Sequence, residues 1–171
     1  GYYGGKFDLF FQRIIEIWSS LPMLFVIIII SSILKPSFFL LIGIYTLVNW
    51  ISMTYLIRAE YYREKAKPYV AAALSMGQSN FKIMFKHILP NCMAPLIVVG
   101  TLQTAHAISL EATLSFLGLG LPITEPSLGL LLGNGFVFMY SGDYCSSIFP
   151  GVALLITVGA INLVGDHLRD M

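Results

Sequence analysis

Three polar side chains that could do chemistry lie in an otherwise apolar stretch, residues 92–117. Gln103, His106 and Glu111 share this stretch, which is long enough to cross a bilayer as a helix. A carboxylate inside a membrane is costly and therefore points first to a functional role. Glu111 could line a solute path and attract a cationic group, or it could be a structural group bonded to a neighbouring helix. Both interpretations of Glu111 stay open.

The other polar side chains of the apolar stretches favour a structural interpretation. His106 would need partners for a proton relay or a metal site, and the other histidines, His87 and His167, are predicted to lie on the cytoplasmic side. Hydrogen bonding between helices is therefore the favoured role for His106, and also for Asn49 and Asn162, because lipid offers such groups no partner.

Sequence patterns for covalent chemistry are absent. No GxxxxGK[ST] phosphate loop, HExxH helix or GxSxG turn occurs, so the chain is not expected to hydrolyse ATP itself. The two cysteines, Cys92 and Cys145, show no CxxC or metal-ligand spacing and are interpreted as small apolar residues. We therefore expect no enzyme activity, no metal site and no cofactor.

The composition is typical of a membrane protein. Of the 171 residues, 57% are hydrophobic and 11% are charged, whereas a soluble domain carries about 25% charged residues. The net charge of +1 gives no indication of a nucleic-acid partner. The lipid bilayer is instead the expected surrounding.

Four apolar stretches predict an all-α, polytopic membrane helix bundle. The predicted spans are residues 18–34, 38–57, 92–117 and 148–164, the last of which is expected to end at Gly165-Asp166. Lys35-Pro36-Ser37 predicts a turn between the first two spans. Residues 7–20 are amphipathic and predict a helix in the membrane interface. Residues 127–140, interrupted by glycine, predict a short helix or re-entrant piece on the outer side.

The distribution of basic residues sets the predicted orientation. Residues 58–87 carry six of the ten lysines and arginines, namely Arg58, Arg63, Lys65, Lys67, Lys82 and Lys86. Because positive loops stay in the cytoplasm, this loop and both termini of the chain are predicted to be cytoplasmic.

Residues 58–91 are predicted to form a compact cytoplasmic knob. Residues 58–75 are expected to continue the second span as a helix that Gly77 ends in a left-handed cap. Ser79 or Asn80 can cap a second short helix, which Pro90 is expected to end before the third span begins. That helix is expected to have an apolar side and a basic side: Phe81, Ile83, Met84 and Phe85 on the first, Lys82 and Lys86 on the second. A solvated loop whose charge only fixes the topology is the alternative.

Several motifs of the sequence resemble one protein family. Tyr69-Val70, Ala72-Ala73, Gly77 and His87-Ile88-Leu89-Pro90-Asn91 resemble the "EAA" loop of ABC importer permeases, and in particular the YVEAAxxxG…RHILPN pattern of the dipeptide/oligopeptide (and nickel) group. Later motifs of that group match in order: residues 111–120 (EATLSFLGLG), 126–129 (PSLG) and 162–170 (NLVGDHLRD). The opening GYYGG also resembles the segment that follows the family's second membrane helix. The resemblance covers essentially the whole chain.

The resemblance implies a six-helix subunit of which this chain, residues 1–171, would be a single permease domain holding helices three to six, without the first two. It implies an importer of di- or oligopeptides in a prokaryotic cytoplasmic (inner) membrane. The implied partners are ABC ATP-binding subunits, a second permease subunit and an extracytoplasmic peptide-binding protein. In the family, the loop around Gly77 docks into a cleft on the ATP-binding subunit and transmits ATP-driven closure to the membrane helices.

The loop pattern and the resemblance together give two sets of candidate site residues. The ATPase-coupling set is Tyr69, Ala72, Ala73, Gly77, Phe81, Lys82, Phe85, Lys86 and Pro90; the translocation-path set is Glu111, Gln103, His106 and Asn49. Ala71 stands where the family has the glutamate that gives the EAA loop its name, so a charge that can contact the ATPase is missing. Coupling is then expected to depend more on the Gly77 turn and the second helix, or to be impaired.

Two functions of other classes are the alternatives. A membrane-embedded enzyme would use Glu111 and His106, and Glu111→Gln would then abolish a hydrolytic activity while transport stays intact. A purely structural membrane scaffold would tolerate Gly77→Arg without any effect beyond expression.

Overall fold

A computed structural model describes residues 4–34 and 37–170, and within these ranges the chain is helical with no strand. The helices are α1 Gly5–Ser19, α2 Met23–Ile33, α3 Phe38–Lys65, α4 Pro68–Ser75, α5 Asn80–Lys82, a π-helical segment Ile83–Ile88, α6 Leu89–Phe116, α7 Leu128–Met139 and α8 Cys145–Asp170. The all-α prediction is confirmed. Gly1, Tyr2 and Tyr3 of the opening segment, and Lys35 and Pro36 of the predicted turn, lie outside the described residues.

Three of the described helices are long and apolar enough to cross a membrane: Phe38–Lys65, Asn80–Phe116 and Cys145–Arg169. A fourth crossing exists only if α1 and α2 are counted together as one broken span. The predicted first span, residues 18–34, is therefore interrupted and is not one continuous helix. Pro22 precedes α2, and because it lacks an N–H and restricts Leu21, the helix breaks and leaves α2 with 11 residues.

Proline also overturns the prediction that the second span continues as a helix to residue 75. α3 ends at Lys65, and Lys67 is extended, with φ −77° and ψ 149°. A residue before proline avoids the helical region, and Pro68 then fits the first turn of α4, where its missing N–H costs nothing.

At two other positions the helices continue where the sequence predicted an end. Pro90 does not separate the short helix from the third span, because residues Asn80–Phe116 form one helix of 37 residues. The wider π turns of Ile83–Ile88 lie directly before Pro90, where they relieve the clash of its ring with the preceding turn. α8 also passes through Gly165 to Asp170. Glycine inside a helix is tolerated, and here its missing side chain lets Leu102 approach within 3.0 Å of the Cβ position.

The length of α3 indicates where the membrane ends. Its 28 residues extend about 42 Å at 1.5 Å per residue, more than the hydrocarbon thickness of about 30 Å. Residues 38–57 contain no charged side chain, whereas residues 58–65 contain five. Residues 58–65 therefore project beyond the hydrocarbon region as part of the polar loop.

The chain divides into two compact units. Unit 1 comprises Gly1–Leu21 and Asn49–Val99, and unit 2 comprises Pro22–Val48 and Gly100–Met171. The core of unit 1 is a cluster of buried side chains from α4, the π-helical segment and the start of α6: Val70, Ala73, Ile83, Ile88 and Cys92. The core of unit 2 is built from α2, α3 and α6: Ile27, Ile44, Val48 and Leu114.

In unit 2 the short helix α7 packs closely against neighbouring backbone. Ser127 caps α7, since its Oγ accepts a hydrogen bond from the Leu130 N–H at 3.1 Å. Gly129 contacts the backbone of Ala112 in α6, and Gly135 contacts the backbone of Ser146 in α8 so closely that a Cβ would overlap it. The predicted short helix over residues 127–140 is confirmed, and its glycines are the points of closest contact.

Candidate functional site

The predicted knob of residues 58–91 is formed around a left-handed glycine. Gly77 has φ +73°, and the Gly77 and Gln78 N–H groups donate to the carbonyls of Leu74 (3.0 Å) and Ala73 (3.2 Å). This confirms that Gly77 ends the preceding helix. A Cβ on Gly77 would meet nothing within 4 Å, so a substitution there is opposed by backbone conformation and not by crowding.

Ser79 begins the helix that follows the glycine turn. Its side chain accepts a hydrogen bond from the Lys82 N–H at 3.4 Å, so Ser79 is the residue that caps α5. Ser79 and Gly77 together fix the two bends of the knob, as the sequence predicted.

A buried carboxylate ties the end of α3 to α4. Glu64 is 1% exposed, and its carboxylate accepts from Lys67 Nζ at 2.7 Å and from the Tyr69 hydroxyl at 2.8 Å. These two bonds hold the pKa of the Glu64 carboxyl below its usual range, so the group is ionised. Burial, followed by the hydrogen bond with Glu64, raises the pKa of the Tyr69 hydroxyl, which therefore stays protonated and acts as a donor to Glu64.

Side chains also satisfy the backbone of the π-helical segment. The Tyr61 hydroxyl donates to the Met84 carbonyl at 3.2 Å, and Asn91 Nδ2 donates to the His87 carbonyl at 2.7 Å. His87 Nε2 lies 2.9 Å from Gln78 Oε1, which links the segment to the glycine turn. His87 and Asn91, the ends of the HILPN motif, are therefore internal connectors of the knob.

The outer surface of the knob carries an aromatic pair and two lysines. The Phe81 and Phe85 rings stack with centroids 4.5 Å apart and are 68% and 50% exposed. Lys82 and Lys86 are also exposed. We call these four side chains, Phe81, Lys82, Phe85 and Lys86, the outer patch. The predicted apolar side of this helix needs one correction, because Ile83 is fully buried in the core of unit 1 and takes no part in the patch.

The nine predicted coupling residues thus divide between the surface and the interior. Seven are exposed: Ala72, Gly77, Phe81, Lys82, Phe85, Lys86 and Pro90. Tyr69 is half-buried against the core, and Ala73 is 2% exposed within it. Ala71 is exposed, so the position of the absent glutamate lies on the surface.

Two of the predicted path residues make specific contacts in unit 2. The Tyr45 hydroxyl lies within hydrogen-bond distance of both the Gln103 backbone carbonyl (2.8 Å) and Gln103 Oε1 (3.0 Å). Ser115 Oγ donates to Glu111 Oε1 at 2.6 Å and accepts from the Leu121 N–H at 3.2 Å. Glu111 is therefore bonded within its own helix, one turn away, whereas the structural interpretation had placed its partner on a neighbouring helix.

The remaining path candidates are placed differently. His106 is exposed on α6, while Asn49 belongs to unit 1 and the other three candidates belong to unit 2. A cavity of about 500 Å³ in unit 2 is lined mostly by apolar side chains, with Glu111 and Tyr45 among its polar members. Within the described ranges, no group of three or more histidines, cysteines, aspartates or glutamates is placed to hold a metal ion.

Sequence reasoning missed Glu64, the most buried charged group of the knob. One signal was available, since Glu64 stands three residues before Lys67 on a helix end, where an ion pair can form. What the spacing does not show is that Pro68 turns the chain back and encloses the carboxylate. Asp8 was likewise missed as the partner of Arg58, at 2.6 Å.

These features define a class: a multi-pass membrane protein with a structured polar knob between two apolar helices. The comparison with protein families then identifies the chain. A family model described as "Binding-protein-dependent transport system inner membrane component" matches residues 1–171, and the chain belongs to this family. It is accordingly a multi-pass inner membrane protein, as the sequence predicted.

Individual relatives agree with the family. The chain is 43% identical to a peptidoglycan transport system permease protein YejE of Agrobacterium fabrum, 39% to a dipeptide transport system permease protein DppC of Haemophilus influenzae and 41% to an oligopeptide transport system permease protein OppC of Lactococcus lactis. Each alignment covers 99% of this chain and 44%, 57% and 58% of the relative, respectively. The chain therefore spans about half the length of the curated relatives it matches.

Proposed function

We propose that this chain is part of the permease subunit of an ATP-driven importer of di- or oligopeptides. The permease would form half of the translocation path and work with ABC ATP-binding subunits, a second permease and an extracytoplasmic peptide-binding protein. The names of the relatives support the substrate class, since they refer to dipeptide, oligopeptide and peptidoglycan transport. ATP hydrolysis belongs to the partner subunit.

The observation that carries the proposal is the division of the knob between interior and surface. Tyr69, His87 and Asn91 connect the knob internally, and that leaves the outer patch free to contact another protein. Exposed aromatic rings are costly in water unless a partner covers them, and aromatic anchors are enriched at the centres of protein interfaces. The two lysines beside the rings suit a partner surface with acidic groups.

The orientation follows from the same assignment. A knob that contacts a cytoplasmic ATPase is itself cytoplasmic, which is also the side that the positive-inside rule gives to its six basic residues. The C-terminus of this chain is then cytoplasmic by alternation of the spans, and the N-terminus is cytoplasmic when α1 and α2 together count as the fourth crossing. Alternating access would proceed by ATP-driven closure acting on the Gly77 turn, which shifts the populations of inward- and outward-open states.

The first experiment measures peptide-stimulated ATPase activity in proteoliposomes that contain the complete transporter with this chain. Gly77→Val is expected to abolish stimulation, because a β-branched residue cannot adopt φ +73° without strain. Gly77→Asn is the matched control, since asparagine tolerates the left-handed region and should retain most of the stimulation.

A second pair of variants tests the outer patch. Phe81→Ala with Phe85→Ala is expected to weaken co-purification of the ATPase subunit, whereas Phe10→Ala with Phe11→Ala removes a comparable exposed aromatic pair from α1 and should leave it unchanged. If peptide never stimulates the wild-type assembly, the substrate assignment fails. If both pairs weaken co-purification equally, the outer patch is not the docking surface.

A further inference from the structure

We infer that Glu64 is a positioning residue for coupling: it fixes α4 and the Gly77 turn to the end of α3 and the start of α6. The inference rests on the proposed function, because it concerns how the knob transmits movement from the ATPase. Glu64 lies on the inner side of the knob, away from the outer patch, and acts through other residues.

The placement of Glu64 is unfavourable for α3 alone. A negative charge in the last turn of a helix opposes the macrodipole, and burying an ionised carboxylate removes its hydration. If this position served only to extend α3, an exposed, uncharged polar residue would stabilise the helix end more than a buried carboxylate does. The cost is offset mainly by Lys67 and Tyr69, both of which lie beyond the end of α3, while Arg63 on α3 itself is more distant, at 3.9 Å. The carboxylate therefore stabilises the turn between α3 and α4.

The hydrogen bonds continue from Glu64 to α6. The Tyr69 hydroxyl donates to Glu64 and accepts from Asn91 Nδ2 at 3.3 Å, and the same Asn91 amide donates to the His87 carbonyl. His87 in turn is bonded to Gln78, the residue after Gly77. One network of side chains thus joins α3, α4, the glycine turn and the start of α6, all within unit 1.

Such a network would make the knob move as one body when the ATPase pushes on it. At the junction of Ala66 and Lys67, one turn-type backbone bond reaches back to α3, from the Lys67 N–H to the Glu64 carbonyl at 3.1 Å. Without the carboxylate, α4 would be tethered to α3 by that bond and by apolar contacts, which have no preferred direction. A push on the outer patch would then reorient α4 instead of moving α3 and α6.

The decisive experiment compares Glu64→Ala with Glu60→Ala in the complete transporter. Glu60 is the matched control, since it lies one turn earlier on α3, is 9% exposed and pairs with Arg63 at 2.6 Å on its own helix, whereas Arg63 lies 3.9 Å from Glu64. Peptide uptake per ATP hydrolysed is expected to fall roughly tenfold in Glu64→Ala, an effect in the usual range for allosteric coupling. It should stay within roughly twofold of wild type in Glu60→Ala.

Hydrogen–deuterium exchange provides a readout that does not depend on transport. Amides of residues 69–76 are expected to exchange faster in Glu64→Ala and at the wild-type rate in Glu60→Ala. If Glu64→Ala does not assemble, Tyr69→Phe, which removes only the hydroxyl, should still lower the uptake-to-ATP ratio and speed exchange of the same amides. Glu64→Gln should rescue part of both losses, because its amide oxygen can still accept from Tyr69.

The outcomes separate this inference from the proposed function. The positioning role is overturned if the wild-type transporter is coupled and Glu64→Ala keeps both its ratio of peptide uptake to ATP hydrolysis and its rate of amide exchange. It is also overturned if Glu60→Ala loses as much coupling as Glu64→Ala. A wild-type assembly that neither binds the ATPase nor imports peptide overturns the proposed function instead, whatever the exchange data show.

Discussion

Unit 1 and unit 2 are each stabilised internally, but by different kinds of interaction. Unit 1 is connected by charged and hydroxyl groups, including the Asp8–Arg58 ion pair at 2.6 Å and the Glu64 network. Unit 2 is connected by close backbone approach at glycines, above all Gly129 and Gly135. Its polar contacts include the hydrogen-bonded group of Glu111, Ser115 and Leu121 and the contact of Tyr45 with Gln103.

The difference follows from the surroundings of these particular contacts and not of the whole units, since unit 1 also contains apolar parts of α3 and α6. Where helices leave the bilayer, water hydrates the outer atoms of a charged group, so a pair can form without complete desolvation. Inside the bilayer, lipid is as apolar as leucine, and apolar side chains gain little by meeting each other. Small residues, which let backbones come into van der Waals contact, then become the main source of helix association.

The largest effect is expected from filling the glycine contacts. Gly135→Val places a side chain where the backbone of Ser146 already lies, and backbone cannot rotate away as a side chain can. We expect a loss of about 3 kcal/mol or more, the upper range for overpacking. The measurement is thermal unfolding in detergent micelles, followed by loss of the monodisperse peak on size-exclusion chromatography.

Gly43→Val is the control for this prediction. Gly43 is a helical glycine of α3 with nothing within 4 Å of its Cβ position, so the same substitution should change stability by about 0.5 kcal/mol or less. Equal destabilisation by Gly43→Val and Gly135→Val would mean that helix propensity, and not close backbone contact, determines the cost of replacing these glycines.

A smaller loss is expected from breaking the ion pair of unit 1. Arg58→Leu removes the Arg58 guanidinium from the largely buried carboxylate of Asp8, which keeps its hydrogen bond from Tyr62, at a cost of about 2 kcal/mol. The double variant Asp8→Leu/Arg58→Leu removes both charges and should cost less than the sum of the two single variants. Thermal unfolding of all four proteins forms a double-mutant cycle; strict additivity would show that the two charges do not interact.

Much of the fold could be predicted because hydropathy and helix signals act locally. The apolar stretches, the left-handed turn at Gly77 and the Ser79 cap all follow from the residues themselves. Proline caused most of the errors: Pro22 and Pro68 broke predicted helices, and Pro90 did not end one. A proline restricts the residue before it, but whether the helix stops or widens into a π turn depends on what satisfies the freed carbonyls. In the π-helical segment before Pro90, the Met84 and His87 carbonyls also accept hydrogen bonds from the side chains of Tyr61 and Asn91.

The exposed residues of the candidate site were named from the sequence, whereas its buried carboxylate, Glu64, was missed. Phe81, Phe85 and the two lysines were named from the loop pattern and the resemblance, but periodicity did not show that Phe81 and Phe85 are exposed while Ile83 is buried. Burial of Glu64 could not, since a carboxylate in a basic loop is ordinarily solvated. Its burial follows from tertiary packing of α4 on the core.

A third prediction concerns the polar cluster of unit 2. Ser115→Ala removes the acceptor of the Leu121 N–H and the donor to Glu111, and a buried donor left without a partner costs about 1 kcal/mol. Ser109→Ala is the control, because Ser109 only donates back to the Ala105 carbonyl of its own helix and leaves no group unsatisfied. In thermal unfolding, Ser115→Ala should melt at a lower temperature than Ser109→Ala. Equal melting temperatures would mean that Ser115 does not stabilise the α6–α7 connection.

The smallest effect is expected at an exposed ion pair of unit 1, and it tests why charge matters there. Arg13 and Glu16 lie 2.7 Å apart on α1, with side chains 78% and 40% exposed. Because water screens both groups, Arg13→Ala should change the unfolding free energy by no more than about 0.5 kcal/mol. The distance is close to that of Asp8–Arg58, so burial is the main variable between the two pairs. If Arg13→Ala lowers the unfolding free energy as much as Arg58→Leu, then a short charge–charge distance is enough to stabilise unit 1, whether or not the pair is buried. Exposure to water would then not explain why unit 1 uses ion pairs and unit 2 uses glycine contacts.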